Sequence, residues 1–135
     1  MSLELIKAGL ERRLGQLAPA IDTAFENTAY GPKTGVPYQR VFHLINRPTA
    51  PYMTQDGYTE RGILQVSAFF PIDSGRGPAG VHAQAVRALF AQPLTPEEGG
   101  VEIDIYAPTH VGGGMPDGDR WHVPISIYWQ AYIPN

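Results

Sequence analysis

The chain has 135 residues, a formal net charge of −3 at pH 7 and no cysteine. At this length we expect one domain, spanning 1–135, with a hydrophobic core large enough to be stable without disulfide bonds or a structural metal. The lack of cysteine excludes disulfides and thiolate metal sites, and the weak negative charge with scattered Lys and Arg argues against tight binding of nucleic acid. No apolar run reaches the length of a membrane span and no signal peptide is apparent, so we expect a soluble, intracellular protein with no membrane partner.

The chain begins with a predicted amphipathic helix. Apolar residues recur at three- and four-residue steps from Leu3 to Leu17, charged residues fill the other faces, and Pro19 is expected to end the helix. An α+β domain must cover one face of its sheet, so we expect this helix to pack on the sheet of its own chain and not on a neighbouring subunit. A short strand is predicted near 21–25, and the alternating segment 38–45 predicts a clear strand with apolar residues on both faces.

A strand, a glycine-rich turn and a second helix are predicted between Gly62 and Phe90. The strand is apolar and rich in β-branched and aromatic residues, and Pro71 marks its end. Pro78 suits the first helical position, because its missing N–H would have no partner there. The preceding segment, 46–59, is polar and interrupted by proline and glycine, which predicts a long loop or an extended hairpin arm. The apolar face predicted for the helix consists of Val81, Ala85, Ala88 and Leu89.

A short strand and a long loop are predicted after this helix. Segment 100–106 alternates apolar residues with acidic or aromatic ones, which is typical of a strand with one buried and one wet face. Segment 107–119 is predicted to be a long flexible loop, because ordering the run of Gly112, Gly113 and Gly114 loses much backbone freedom. We expect a partner to order it.

The final predicted strand, 120–133, is long and two-faced. Branched and aromatic side chains alternate onto one face, while Tyr128 and Tyr132 lie on the other. Its apolar surface exceeds what one core needs, so the second face is a candidate contact surface. The complete order predicts an α+β fold, with a mainly antiparallel sheet packed against the N-terminal helix and a second, central helix.

The turn before the second helix invites comparison with phosphate-binding loops. Gly75, Gly77 and Gly80 match the spacing of a dinucleotide fingerprint, but no further βαβ unit follows. A Walker loop needs Lys and then Ser or Thr at the start of the helix, where proline and alanine stand here. We favour a structural turn. The alternative is a small-ligand or anion-binding α+β domain, enzymatic or not, that uses Gly75–Gly80 with Arg76 as its cation.

No other group of polar residues specifies chemistry. A metal site would draw on imidazole and carboxylate groups near the last loop, but their spacing matches no ligand motif, so solvated side chains are the favoured interpretation. Isolated histidines and an acidic patch lack the partners that a nucleophile or a general acid requires. We expect no enzymatic activity, no metal and no cofactor. The residues concerned are His43, His82, Glu97, Glu98, Glu102, Asp104, His110, Asp117, Asp119 and His122.

Several segments, taken in order, carry a family resemblance. They are the N-terminal helix, the segment Glu26–Tyr30 before a strand that opens with Pro37 and Tyr38, the G-x-L-Q-V strand Gly62–Val66, the turn Gly75–Gly77 that opens the alanine-rich helix Ala79–Phe90, and the closing strand Trp121–Ile125. Together they resemble the tail terminator family of long-tailed bacteriophages and prophages, the group of proteins similar to minor tail protein U. The resemblance spans most of the chain.

The resemblance implies a structural α+β protein that assembles as a ring, commonly hexameric, on the end of a completed tail tube. Such a ring stops polymerisation of the tube and presents a surface to the head–tail connector protein, in the virion tail, after assembly in the host cytoplasm. Its implied partners are copies of itself, the tail tube protein and the connector, while DNA passes through without tight binding. Another neck or tail completion protein is the second structural alternative. The candidate contact residues are Arg76, Gly112, Gly113, Gly114, Tyr128 and Tyr132.

Overall fold

Two 15-residue strands, β3 (Gly57–Pro71) and β7 (Arg120–Pro134), pair antiparallel along their whole length in the computed structural model. The structure describes residues 3–17, 20–48, 57–91, 94 and 103–134. No helix among these residues is long and apolar enough to cross a membrane. The other elements are α1 (Leu3–Leu14), β1 (Asp22–Ala24), β2 (Tyr38–Ile45), α2 (Gly77–Leu89), β4 (Ile103–Ile105), β5 (His110–Val111) and β6 (Met115–Asp117).

The remaining strands extend the sheet on both sides of this pair. β2 pairs antiparallel with the other edge of β3, and the short β1 pairs parallel with β2. Along the other edge of β7, three short strands pair antiparallel in succession, with β6 near its start, β5 in the middle and β4 near its end. Among the described residues, two helices and a seven-stranded, mainly antiparallel sheet confirm the predicted α+β fold.

Both helices pack on the same face of the sheet, and the core lies between the two layers. Alternation along β3 and β7 directs every second side chain to this face, and α1 adds apolar residues at helical spacing. The large indole of Trp129 is fully buried there. The main core residues are Ile6, Leu10 and Leu14 of α1, Leu64, Val66, Ala68 and Phe70 of β3, Ala79, Ala83 and Val86 of α2, and Ile125, Ile127 and Trp129 of β7.

The buried face of α2 differs from the predicted one, because Val81 is 70% exposed. His82 explains the difference. Its Nε2 lies 2.9 Å from Oε1 of Gln39, and Nε2 of Gln39 donates a hydrogen bond to Oγ1 of Thr23 at 3.0 Å. Since these polar groups satisfy one another, the histidine is buried without an unpaired Nε2. The residues that α2 buries are Ala79, His82, Ala83 and Val86.

Two segments contribute strands beyond the predicted ones. Gly57 to Thr59 belong to β3, which agrees with the hairpin arm that was one alternative for 46–59, whereas 107–119, predicted as a loop, contains β5 and β6. The physical reason is the length of β7, whose edge would otherwise leave a row of backbone N–H and C=O groups unpaired. The first helix ends at Leu14, before the end predicted at Pro19. The stretch 49–56 of the predicted arm and 100–102 of the predicted strand lie outside the described residues.

Gly62 allows β3 to pass beneath Trp129, and we expect a larger residue at this position to lower the stability of the fold. A Cβ on Gly62 would lie 2.7 Å from Cζ2 of Trp129 and 2.8 Å from the carbonyl oxygen of Leu44. We therefore expect Gly62→Ala to lower the free energy of unfolding by about 1–3 kcal/mol, measured by urea denaturation. Gly80→Ala is the matched control: nothing lies within 4 Å of that Cβ, and alanine inside α2 should stabilise by up to about 1 kcal/mol. Two effects of the same sign would contradict the packing of Trp129 on Gly62.

His82 predicts a pH dependence of stability. Burial lowers the pKa of His82 from its ordinary value of 6.5, so at mildly acidic pH the unfolded chain binds a proton that the folded chain does not. The stability from this group is complete above pH 6.5 and is lost as the pH falls through 6.5 toward the folded pKa. We expect the free energy of unfolding to decrease from about pH 7.5 to about pH 5.5 and His82→Gln to flatten this slope. The exposed His110, changed to Gln, should leave the slope unchanged; an unaltered slope in His82→Gln would contradict the assignment.

Candidate assembly surface

The face of the sheet turned away from the helices, here called the open face, is built from alternate residues of β2, β3 and β7. The strand register aligns these side chains in rows that cross the three strands, one residue per strand. The rows, in the order β2, β3, β7, are Tyr38, Phe69 and His122; Arg40, Ser67 and Pro124; Phe42, Gln65 and Ser126; and Leu44, Ile63 and Tyr128.

At one end of the open face the chain covers its own aromatic side chains. The rings of Tyr38 and Phe69 stack with centroids 4.9 Å apart, and Phe69 stacks on the imidazole of His122 at 4.6 Å. Tyr30 adds a further ring, 5.3 Å from that of Tyr38. The result is a cross-strand ladder in which Tyr38 and Phe69 are buried.

Arg120 fastens this covered end. It is 6% exposed, and its Nη1 and Nη2 donate hydrogen bonds to the carbonyl oxygens of Val36 and Lys33, both at 2.5 Å. The guanidinium also lies 5.0 Å from the centre of the Tyr38 ring. Because arginine donates in a fixed fork, it ties the segment before β2 to the start of β7. This end of the open face is therefore filled by the chain itself.

At the other end of the open face, large apolar side chains are exposed to solvent. Phe42 is 43% exposed and Leu44 is 53% exposed, and they adjoin the half-buried Ile63 and Tyr128. Tyr106 is 47% exposed and its ring lies 6.4 Å from that of Tyr128. We call these five residues the apolar patch. Exposed apolar side chains grouped in this way make the patch a candidate interaction surface.

Charged groups frame the apolar patch on two sides. On the side of the covered end, the Arg40 guanidinium lies 5.5 Å from the centre of the Tyr38 ring. On the far side, Gln130 Nε2 donates a hydrogen bond to Oδ2 of Asp104 at 3.1 Å, and Arg61 is the register partner of Gln130. The two rows between them contain no Asp, Glu, Lys or Arg on β2, β3 or β7. A partner can therefore cover these rows without removing a charge from water.

The structure divides the predicted contact residues between two places. Tyr128 and Tyr132 lie on the open face, where Tyr132 is 52% exposed. Arg76 instead lines a cleft of about 390 Å³ together with Trp121, at the opposite end of β7. At the rise of a β-strand, Trp121 and Tyr132 are about 35 Å apart. The six residues therefore do not form one surface: the two tyrosines lie on the open face and Gly112 lies beside its residue Pro124, whereas Arg76 and Gly114 lie near Trp121.

The glycine run after β5 lies against β7, so segment 107–119 is not a continuous loop as predicted but is divided by β5 and β6. The backbone N–H of Gly112 donates to the carbonyl oxygen of Pro124 at 2.8 Å. Gly114 lies against the indole of Trp121 so closely that a Cβ would overlap the ring, whereas a Cβ on Gly113 would meet nothing within 4 Å. Deleting the run would thus disturb the pairing of β5 and β6 with β7.

The turn before α2 has the geometry of a structural turn. Gly75 needs glycine because its φ is +81°, but a Cβ on Gly77 or Gly80 would meet nothing within 4 Å. In a dinucleotide loop those glycines allow close approach of the ligand and of the helix. β3 pairs antiparallel on both edges, whereas dinucleotides bind at the carboxyl ends of parallel strands. Arg76 caps α2 in helical conformation without a side-chain capping bond.

His43, like His82, joins a helix to β2. Its Nε2 lies 2.7 Å from Oε2 of Glu11 on α1, and its backbone N–H donates to Oε2 of Glu26 at 3.0 Å. The side chain is buried between α1 and the sheet. Both histidines therefore connect the helical layer to β2.

The residues considered for a metal site lie apart. His122 belongs to the aromatic ladder and His110 lies on β5, while Oδ1 of Asp119 is 3.9 Å from Nε of Arg120. Within the described ranges, no three His, Cys, Asp or Glu side chains are grouped to hold a metal ion. The acidic residues Glu97, Glu98 and Glu102 lie outside the described residues.

Sequence reasoning did not select Phe42, Leu44 or Arg120. The sequence of β2 did indicate Phe42 and Leu44, because a strand with apolar residues on both faces must be covered by other groups on both faces. Arg120 has no signal of its own, because the carbonyl groups that it binds are 84 and 87 positions away in the chain.

Comparison with known proteins gives matches over nearly the whole chain. A family model described as phage tail terminator protein matches residues 5–129. A solved structure whose title states no function has a TM-score of 0.80 and 26% sequence identity, and the match covers 100% of this chain and 99% of that one. No curated protein matches the chain. The matched region includes α2, most of α1 and the five residues of the apolar patch.

The turn geometry predicts how Arg76→Ala behaves. Arg76 is exposed and makes no capping bond, so its loss should change the free energy of unfolding by less than about 0.5 kcal/mol. Calorimetric titration of the parent chain with ATP, NAD and phosphate should show no binding tighter than about 1 mM. Tighter binding that disappears in Arg76→Ala would contradict the structural interpretation and favour an anion site.

Proposed function

Because the chain belongs to the phage tail terminator family, we propose that it caps the tail tube of a long-tailed phage or prophage and ends the polymerisation of that tube. Membership of the family points to a structural role in the virion tail. In the proposal, the cap is a ring of copies of this chain, bound to the tail tube protein on one side and to the head–tail connector protein on the other. Assembly takes place in the host cytoplasm.

The observation that carries the proposal is the apolar patch on the open face. Phe42 and Leu44 expose about half of their surface, and solvent-exposed apolar rows of this kind favour contact with another protein. A cap built from one kind of chain needs interfaces between copies, and a ring needs two different surfaces on each copy. The apolar patch supplies one such surface.

The charge of the chain agrees with a ring that DNA crosses. A net charge of −3 without a basic cluster favours passage of DNA over retention, because tight binding of the phosphate backbone requires Lys and Arg along its path.

The ligand-binding alternative has no comparable support. Gly77 and Gly80 approach no neighbouring group, and β3 does not end at the edge of a parallel sheet. The remaining structural alternative, another neck or tail completion protein, predicts contact with tails but no effect on the length of the tube. The proposal and this alternative therefore differ in one measurable quantity, the tube length.

Leu44→Glu tests the role of the apolar patch in capping. The side chain is 53% exposed on the open face, so the substitution should lower the free energy of unfolding by no more than about 1 kcal/mol. It places a charge in an interface that must lose its water, which should abolish capping. Tail tube protein is polymerised with the parent chain or the variant, and tube lengths are measured by electron microscopy. We expect limited lengths with the parent chain and unlimited growth with Leu44→Glu.

Ala8→Glu is the matched control for this assay. Ala8 is exposed on α1, and glutamate is tolerated well in a helix, so this variant should limit tube length as the parent chain does. Tubes of uncontrolled length in the presence of the parent chain would contradict the proposed function.

A further inference from the structure

The outer face of α2, the side turned away from the sheet, is unusually poor in charge for a surface helix. Between Gly77 and Leu89 the only Asp, Glu, Lys or Arg is Arg87, and its Nε and Nη2 donate to the carbonyl oxygen of Thr109 at 3.1 and 3.0 Å. A helix that faces water normally presents charged residues on its outer side. Val81 is 70% exposed. The exposed residues of α2 are Gly77, Pro78, Gly80, Val81, Gln84, Arg87 and Ala88, and Arg87 lies at the border of the outer face.

The outer face of α1 has the opposite character. Lys7 Nζ lies 3.6 Å from Oε1 of Glu4, and Arg12 is also exposed on this helix. Covering α1 with an apolar surface would remove water from these charged groups. Of the two helices, only α2 can be covered by the apolar patch at a low cost of desolvation.

The open face and the outer face of α2 point in opposite directions, because α2 packs on the other side of the same sheet. Each is uncharged at its centre, and a helix laid on the face of a sheet is one of the ordinary ways in which two layers of secondary structure pack. Two different complementary surfaces on opposite sides of one chain produce head-to-tail association, which closes into a ring when the rotation between copies allows it.

The apolar patch is large enough for part of α2. The 13-residue helix is about 20 Å long and 10 Å wide, while the two uncharged rows of the patch extend about 7 Å along the strands and three strands span about 10–14 Å. The patch can therefore contact about two turns of the helix around Val81. The contact is smaller than the roughly 800 Å² per partner of a standard stable interface. A single pair of copies is therefore weak, and a closed ring, in which every copy makes two contacts, is favoured over the pair.

We infer that the subunit contact of the proposed ring is heterologous: the apolar patch of one copy receives the outer face of α2 of the next copy, with Val81 seated among Phe42, Leu44 and Tyr128. The inference rests on the proposed function for the ring, and it adds which two surfaces meet. The occupant of the patch is a second copy of this chain. In the assembled ring α2 lies between two sheets, its own and that of its neighbour.

Crosslinking of single-cysteine variants tests the contact, and the chain is well suited to it because it has no cysteine of its own. Leu44→Cys and Val81→Cys are purified separately, treated with a flexible thiol-to-thiol crosslinker at the highest concentration at which they stay in solution, and compared with their mixture. Each variant alone should remain monomeric on a denaturing gel, the mixture should give a dimer, and the double variant should give a series of larger products. Ala8→Cys mixed with Leu44→Cys is the matched control and should give no dimer.

The outcomes separate the inference from the proposed function. Crosslinking of Leu44→Cys with itself, or equal yields with Ala8→Cys and Val81→Cys, would overturn the heterologous contact. If the parent chain limits tube length but the mixture of Leu44→Cys and Val81→Cys gives no dimer even on tubes, the proposed capping function is supported and the inferred contact is wrong. If the mixture gives the dimer but the parent chain does not limit tube length, the contact stands and the proposed function is wrong.

Discussion

The continuous pairing of β3 with β7 is the interaction on which the rest of the structure depends. Both strands are 15 residues long and remain in register from end to end. In a sheet, a slip of one residue would exchange the two faces. The same register therefore buries Trp129 beneath the helices and places its neighbour Tyr128 on the open face. The core and the apolar patch are two consequences of one set of backbone hydrogen bonds.

That register also gives the open face two unlike ends. At one end, Arg120 and the segment before β2 cover the aromatic ladder, so the chain satisfies its own apolar surface. At the other end, Phe42 and Leu44 have no such cover and expose about half of their surface. A rigid covered end beside an exposed apolar end is suited to docking, because the strands that present the patch are already held in place and little backbone entropy is lost on binding.

Periodicity in the sequence was sufficient for the elements with strong alternation and insufficient where pairing partners decide the structure. β2 has the predicted bounds, and β7 exceeds its prediction by one residue. The buried side of α2 was predicted wrongly, because a pattern of apolar residues does not reveal that His82 finds Gln39 across the core. The strands β5 and β6 are short, and glycine and proline residues surround them. They acquire their conformation by pairing with the edge of β7. A local window of sequence does not include that edge. For the candidate surface, Tyr128 and Tyr132 could be predicted because they alternate onto the second face of one strand. The side chains that β2 places beside them could not, because their position depends on the register between strands.

The most direct test of the assembly is an electron cryomicroscopy map of a tail tube end that carries this chain. The account predicts a closed ring at the tube end in which the open face of every copy is covered by α2 of the adjacent copy, with Phe42 and Leu44 buried. A map in which the open face remains exposed to solvent, or in which copies bind along the side of the tube without closing a ring, would contradict it.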